Sequence, residues 1–438
     1  MMPTEALLRS KVVGRDRTPQ QVVAILGLAY LFNFLDRQLL TVLAQPIKLE
    51  LGLTDTQLGA LTGLTFALFY TVFGIPVAVL ADRWNRVRLV AIACALWSIC
   101  TLATGVAGGF AALVLARIGV GVGEAGGSPP SYSIISDYFP PSRRGAALAA
   151  YSLGVPAGAL LGSVLGALIA AHWGWRAAFV VIGTAGLLLP FIIATVREPQ
   201  RGRFDDSTLQ TREARASLAS ALSFFLRSPP LMLNAVSAGL MAFVGYGIMN
   251  WAPAFLMRVQ GMSLSRFAAI YGLVIGVSGA LGLWLGGVIA DRVSPRKPML
   301  GALLPGLGML AGVPFLFGAT GTRDWSVSVV LLVVPLVMCG IYLAPALATV
   351  QNRTPAQYRA TESAVLLFVL NLAGMGGGPL YVGKVSDLLE SQYGIHALGQ
   401  ALRWLTPFMV AALLAQFALG LVATRDDRRR ERLAQQGG

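Results

Sequence analysis

Charge is what this sequence has least of. Asp, Glu, Lys and Arg make up 12% of its 438 residues, about half the ~25% that a soluble domain carries. A water-exposed globular surface is therefore excluded. Cysteine is nearly absent as well: Cys94, Cys100 and Cys339 all fall inside apolar runs, with no C-x-x-C pair among them. Such thiols read as ordinary buried residues, and no redox or metal centre is expected. The two histidines, His172 and His396, lie in separate loops far apart in sequence, which argues against a metal site there too. No Walker sequence, Ser-His-Asp set or metal-ligand spacing occurs, so an ATP-driven pump or a hydrolase has no visible machinery, and no cofactor is expected.

Long apolar runs are what the chain has instead. Hydrophobic residues reach 55% and mean hydropathy is +0.68. At about 20 residues per membrane-crossing helix, the runs divide into twelve spans, near 22–45, 56–81, 88–108, 111–137, 145–171, 175–196, 231–257, 266–290, 299–320, 326–350, 361–386 and 403–423. The expected fold class is an all-α integral membrane protein. The first run is full length and has no small-residue cleavage pattern after it, which reads as a retained helix rather than a signal peptide.

The net charge of +14 raises the question of nucleic acid, but its distribution answers otherwise. Arg9, Lys11, Arg15 and Arg17 precede the first span, Arg83, Arg86 and Arg88 follow the second, and Arg143 and Arg144 follow the fourth. Arg212 and Arg215 follow the sixth, Arg292 and Arg296 the eighth, and Arg353 and Arg359 the tenth. Alternate loops are basic and the others nearly bare, the pattern of an even number of spans with both termini cytoplasmic. No nucleic-acid partner is expected; the lipid bilayer is the partner, and the strong bias fits a bacterial inner membrane. The polar stretch 197–230 reads as a partly helical cytoplasmic linker between six-span halves at 1–196 and 231–438.

The halves repeat each other. "LADRWNRVR" from Leu80 aligns with "IADRVSPRK" from Ile289, "LGLTDTQ" from Leu51 with "QGMSLSR" from Gln260, and Pro130 with Pro345. A parallel repeat of six helices resembles the major facilitator transporters, in which the substrate site lies between the halves near the midplane. "LADRWNRVRL" resembles their signature loop, although Ala78 and Asn85 stand where glycines are usual. That resemblance implies a cytoplasmic gate at Asp82, Arg83 and Arg86, with a second copy at Asp291 and Arg292.

One stretch poses a choice of chemistry. "RIGVGVGEAGG", residues 117–127, fits the G-x-G-x-x-G dinucleotide fingerprint, but that fingerprint has meaning only after a strand, with an acid about 20 residues on. Here the preceding "FAALVLA" continues an apolar helix, and Arg143 and Arg144 stand downstream. Gly119, Gly123 and Gly127 instead make G-x-x-x-G steps that admit a neighbouring helix. Arg117 and Glu124, seven residues apart, project from one helical face. A charge at membrane depth costs roughly 2.5–3.5 kcal/mol, so that face must meet protein or a water-filled cavity. In the first span Asp36 and Arg37 are also at depth, and adjacent residues about 100° apart cannot point the same way. The four residues are expected to form one cluster, either a structural ion-pair set or a site for substrate and proton.

Together "NFLDR", "ADRWNR" and "RIGVGVGEAGGSPPSYSIISDYF" are similar to the spinster-like branch of the superfamily. The resemblance implies export of lysolipids or sphingosine phosphate, with protons as coupling ion. It assigns function to Asp36 and Glu124 as proton-coupling candidates, and to Arg37 and Arg117 as anion-binding candidates. Phe34, Tyr246, Asn250, Trp251, Tyr342 and Asn371 are candidates for the cavity wall; packing explains Phe34 equally well and is the commoner role of the other five. Glu362 is read as part of the gate and the Gly-rich "NLAGMGGGPL" as a hinge or tight contact. The expected protein is a monomeric proton-coupled transporter of an amphipathic anion. An organic-anion symporter of the same superfamily is the alternative, and a receptor without flux or an intramembrane enzyme the remoter ones.

Overall fold

The computed structural model describes residues 17–204, 218–294, 296–355 and 358–436. Arg9, Lys11 and Arg15 of the N-terminal segment, and Arg212 and Arg215 of the linker, lie outside the described residues. Regular structure among the described residues is helical throughout. Ten stretches are long and apolar enough to cross a membrane: α1 Pro19–Val42, α2 Asp55–Arg83, α3 Arg86–Gly105, α4 Phe110–Tyr138, α5 Pro141–Ile193, α6 Pro229–Arg258, α7 Leu264–Val293, α8 Pro298–Gly321, α9 Trp325–Arg353 and α10 Thr361–Arg425. Two of these, α5 with 53 residues and α10 with 65, are each more than twice the ~20 residues of one crossing. Both turn midway at a glycine with positive φ, Gly174 (φ 82°) and Gly394 (φ 53°), where a side chain would be strained. Ten stretches are thus consistent with twelve crossings.

The first helix is placed by its own sequence. Thr18 and Gln21 form a reciprocal capping box before α1, with Pro19 in the first helical position, where its missing N–H costs nothing. Farther along, Gly154, Gly158 and Gly162 of α5 lie against Leu31, Phe34, Leu35 and Gln38 of α1. A Cβ on Gly158 would stand 2.8 Å from Phe34 Cβ, and one on Gly162 2.7 Å from the Leu35 carbonyl oxygen. Small residues set the distance and rotation of α1, and with them the direction of Asp36 and Arg37.

The two halves join through a buried acid. Asp55, 2% exposed at the start of α2, accepts two hydrogen bonds from Arg258 at the end of α6, at 2.6 and 2.7 Å. Lys48 donates to it at 2.6 Å and Ser386 of α10 at 2.6 Å. Asp387 closes the junction by accepting from the backbone N–H of Asp55 (2.9 Å) and of Thr56 (2.7 Å) and from the Thr56 hydroxyl (2.6 Å). Gly59, Gly63 and Gly383 let α2 and α10 approach beside it. Among the described residues nothing comparable holds the far end of α2, some 40 Å away at 1.5 Å per residue. There Asp82, Arg83, Asp291 and Arg292 are exposed, and no salt bridge engages them among the described residues.

Two tests follow from this packing. Gly158→Val is expected to lose about 1–3 kcal/mol by overpacking and lower the thermal midpoint of the purified protein. Gly276→Val, where a Cβ meets nothing within 4 Å, serves as the control that leaves it nearly unchanged. Removing one partner of a buried ion pair costs about 3–5 kcal/mol, so Asp55→Asn should part the halves at that end. Spin labels at the exposed positions Leu49 and Ile395 would report a longer, broader distance; an unchanged distribution would mean that the junction does not hold the halves.

Candidate functional site

The glycine-rich face of α4 is a packing surface. A Cβ on Gly121 would come 3.2 Å from the Phe66 carbonyl oxygen of α2, and one on Gly123 2.8 Å from the Trp97 backbone nitrogen of α3. Closing α2 and α3 onto α4 buries what lies between the glycines. Arg117 is 4% exposed and Glu124 1%.

Opposite that face stands α1, and the four intramembrane charges meet. Arg37 Nε lies 2.5 Å from Glu124 Oε2, with the Glu124 side chain fully buried and the Arg37 side chain 19% exposed. The second pair is looser: Arg117 Nη1 stands 3.9 Å from Asp36 Oδ2, outside hydrogen-bond distance. Adjacent residues of α1 thus serve different partners on α4, as their angular separation requires. Two carboxylates and two guanidiniums sum to zero, which makes burial of all four tolerable.

Aromatic rings complete the enclosure. The Arg37 guanidinium sits over Phe66 at 4.5 Å, Phe34 at 4.9 Å and Tyr70 at 4.9 Å. The Arg117 guanidinium is 5.1 Å from the Phe66 ring, so that ring serves both cations. Such contacts favour a desolvated cation by up to ~2 kcal/mol without fixing it as a hydrogen bond would. Polar atoms remain unmatched: Asp36 Oδ2, Arg117 Nε and Glu124 Oε1 are buried with no hydrogen-bond partner among the described residues. Native interiors rarely leave such groups unpaired, and here three belong to one cluster. The cluster thus keeps unused donor and acceptor capacity beside a guanidinium that is partly open.

The second half contributes a hydrogen-bonded chain. Thr41 donates to the Arg37 carbonyl at 3.5 Å or to Asn250 Oδ1 at 3.2 Å, and Asn250 Nδ2 donates to the Tyr246 carbonyl at 2.9 Å. Tyr246 is half-buried, as is Asn371, which lies in the π-helical turn Leu370–Gly377. That turn carries the Gly-rich segment and packs tightly on α6, with a Cβ on Gly374 3.0 Å from the Ala242 carbonyl carbon.

Three expected residues have well-defined partners in this structure. Trp251 is 2% exposed and donates through Nε1 to the Pro379 carbonyl at 2.8 Å, so in this structure it packs α6 on α10. Arg86 is 1% exposed and binds within its own half, to Asp137 (2.5 Å), Glu198 (2.7 Å), Ser133 (2.7 Å) and the Pro199 carbonyl (3.0 Å). It therefore ties α3 to α4 and to the chain after α5, rather than facing the other half as a gate does. Glu362 is fully buried and accepts from the Thr354 hydroxyl, again not at a surface that closes. Asp137, Glu198, Asp55 and Arg258 were missed in the sequence. Arg258 carried a signal, a cation in one of the loops otherwise nearly bare of positive charge.

Comparison with known proteins now adds to this geometry. Residues 26–378 match the Major Facilitator Superfamily. An efflux pump of the major facilitator type from Mycolicibacterium smegmatis is 34% identical over 388 residues, covering 88% of this chain and 89% of the relative. The human protein spinster homolog 1 is 29% identical over 444 residues, covering 95% and 83%. Among solved structures, a bacterial homologue of the human lysosomal transporter spinster, inward-facing and unoccupied, superposes with a TM-score of 0.87 at 31% identity, over 94% of this chain and 99% of that one. The chain belongs to the Major Facilitator Superfamily, on its spinster-like branch, and is a multi-pass membrane transporter, not an enzyme.

Proposed function

We propose that the protein is a proton-coupled secondary transporter of an anionic, amphipathic, lipid-like substrate, of the lysophospholipid or sphingoid phosphate class. It works by alternating access as a monomer in a bacterial inner membrane, with both termini cytoplasmic. The observation that carries the reading is the buried Arg37–Glu124 pair at 2.5 Å, of which only the Arg37 side is partly exposed.

The charge balance supplies the mechanism. Unprotonated, the four-residue cluster is neutral. A proton taken up by Glu124 brings it to +1 and frees Arg37 from its carboxylate, leaving a cation held only by ring faces on the open side of the cluster. An anionic head group then takes the place of the Glu124 carboxylate, with Arg117 adding its field. When the proton leaves, Glu124 competes again for Arg37 and displaces the head group. Proton and anion thus raise each other's affinity, and the coupling is reciprocal. Asp36 keeps Arg117 charged and oriented in the interior.

In proteoliposomes with an imposed pH gradient, wild type is expected to move a lysophospholipid, and Glu124→Gln to lose gradient-driven flux while still binding. Arg37→Ala should weaken binding about tenfold or more, since a hydrogen bond to a charged group contributes ~1.5–3 kcal/mol. Flux of a hydrophilic organic acid alone would move the protein to the organic-anion symporters. Flux indifferent to Glu124→Gln and Asp36→Asn would reduce the cluster to a structural ion-pair set. The linkage has its own signature: affinity for the anion should rise as pH falls in wild type and become flat with pH in Glu124→Gln.

A further inference from the structure

The internal repeat allows the charged site to be mapped onto its counterpart in the other half. Leu51 pairs with Gln260 and Leu80 with Ile289, a separation of 209 residues at both ends of α2 and α7. Pro130 pairs with Pro345 at 215, and the same separation relates the first residues of α4 and α9, Phe110 and Trp325. By these registers Asp36 corresponds to Gly245, Arg37 to Tyr246, Tyr70 to Gly279, Arg117 to Leu332 and Glu124 to Cys339. Every one of the four charges has been replaced by a neutral residue.

A cavity occupies the mapped position. It has a volume of about 250 Å³ and is lined, among others, by Gly245, Tyr246, Ile275, Ser278, Gly279 and Cys339, all counterparts of residues in or beside the charged cluster. Its wall is mainly apolar. One polar group stands out: Ser278 is 1% exposed, and its hydroxyl has no hydrogen-bond partner among the described residues. The cavity borders the first half, because Tyr246, which lines it, packs both against the cluster that holds most of the second half's core and against the one built mainly from α1, α3 and α4. Thr41, one turn beyond Arg37 on α1, can donate to Asn250 Oδ1, whose Nδ2 donates to the Tyr246 carbonyl. A complete small-molecule site measures about 300–1,000 Å³, so this space holds part of a substrate.

We propose that this cavity between α6, α7 and α9 is the subsite for the hydrocarbon chain of the substrate, whose anionic end lies at Arg37. The proposal rests on the amphipathic-anion reading above and adds where the apolar part goes. The pseudo-twofold-related positions divide the work: charge in the first half, apolar volume in the second, with Tyr246 at the join. Ser278 offers its hydroxyl to a carbonyl or hydroxyl where head group and chain meet. Gly279 keeps the space open, since a Cβ there meets nothing within 4 Å.

The test uses the full chain in nanodiscs, with an 18-carbon lysophosphatidylglycerol and, as the head group alone, glycerol phosphate. Gly279→Phe should weaken lysophospholipid binding about tenfold by excluding two or three methylenes from the cavity, and leave glycerol phosphate unchanged. Gly276→Phe, one turn away and outside the cavity lining, should change neither. Cys339 reports independently: in a Cys94→Ala, Cys100→Ala background, its alkylation by N-ethylmaleimide should be slowed by the lysophospholipid and not by glycerol phosphate. Should Gly279→Phe fail to fold, Cys339 protection decides by itself. Arg37-dependent lysophospholipid binding that ignores Gly279→Phe and leaves Cys339 unprotected overturns the subsite alone. No lysophospholipid binding to wild type overturns the functional reading and the subsite together.

Discussion

A charge inside a membrane has to be paired, and the pairing of Arg37 with Glu124 and of Arg117 with Asp36 governs the first half of this protein. The four groups neutralise one another only if α1 and α4 face each other at close range in one rotational setting. That setting is not made by the charges. It is made by glycines of α5 against α1 and of α4 against α2 and α3, which bring backbones near enough for side chains to reach. The energetic order is packing first and electrostatics second: the helices fit because residues are small, and the charges are tolerated because the fit encloses them with partners.

The same logic recurs with a different purpose at the end of α2. Asp55 gathers Arg258, Lys48 and Ser386 from three other segments, and Arg258 also reaches Gln45 at 2.9 Å. Here all partners of the acid are satisfied, in contrast to the central cluster with its three unmatched atoms. A fully satisfied network rigidifies and a partly satisfied one leaves a role for another ligand. The two buried acid-base sets thus differ: one is fully bonded, and the other, the proposed site, keeps three buried atoms unmatched.

How much of this was legible beforehand depends on where a residue sits relative to the bilayer. Asp36, Arg37, Arg117 and Glu124 stood out because a charge in the middle of an apolar run has few cheap explanations. Their wiring was not legible, since it depends on helix rotation that only three-dimensional packing fixes. Arg86 looked like a loop cation of the positive-inside pattern, yet it is buried among Asp137, Glu198 and Ser133; at a helix end, charge is inexpensive and its neighbours cannot be read from spacing. Asp55 and Arg258 escaped for the same reason, being 203 residues apart in sequence. Trp251 illustrates the converse: an amphipathic ring in an apolar helix reads as wall or, more often, as packing, and here its indole N–H bonds the Pro379 carbonyl.

The arrangement of the two acids on α2 bears on how alternating access is driven. Asp55 and Asp82 lie at opposite ends of one helix, the first buried and multiply bonded, the second exposed. Opening at the Asp55 end must separate Arg258 and Asp387 from α2, and the desolvated ion pairs lost there are a cost of several kcal/mol. Under the proposed alternating access that cost is met by contacts made only in the other state, for which Asp82, Arg83, Asp291 and Arg292 are exposed. A substrate need then supply only the difference between two ion-pair networks, not the whole of either. On the proposed reading, a change of one unit of charge in the central cluster is matched to that scale: small enough to be reversible, and large enough to shift a balance between two nearly equal states.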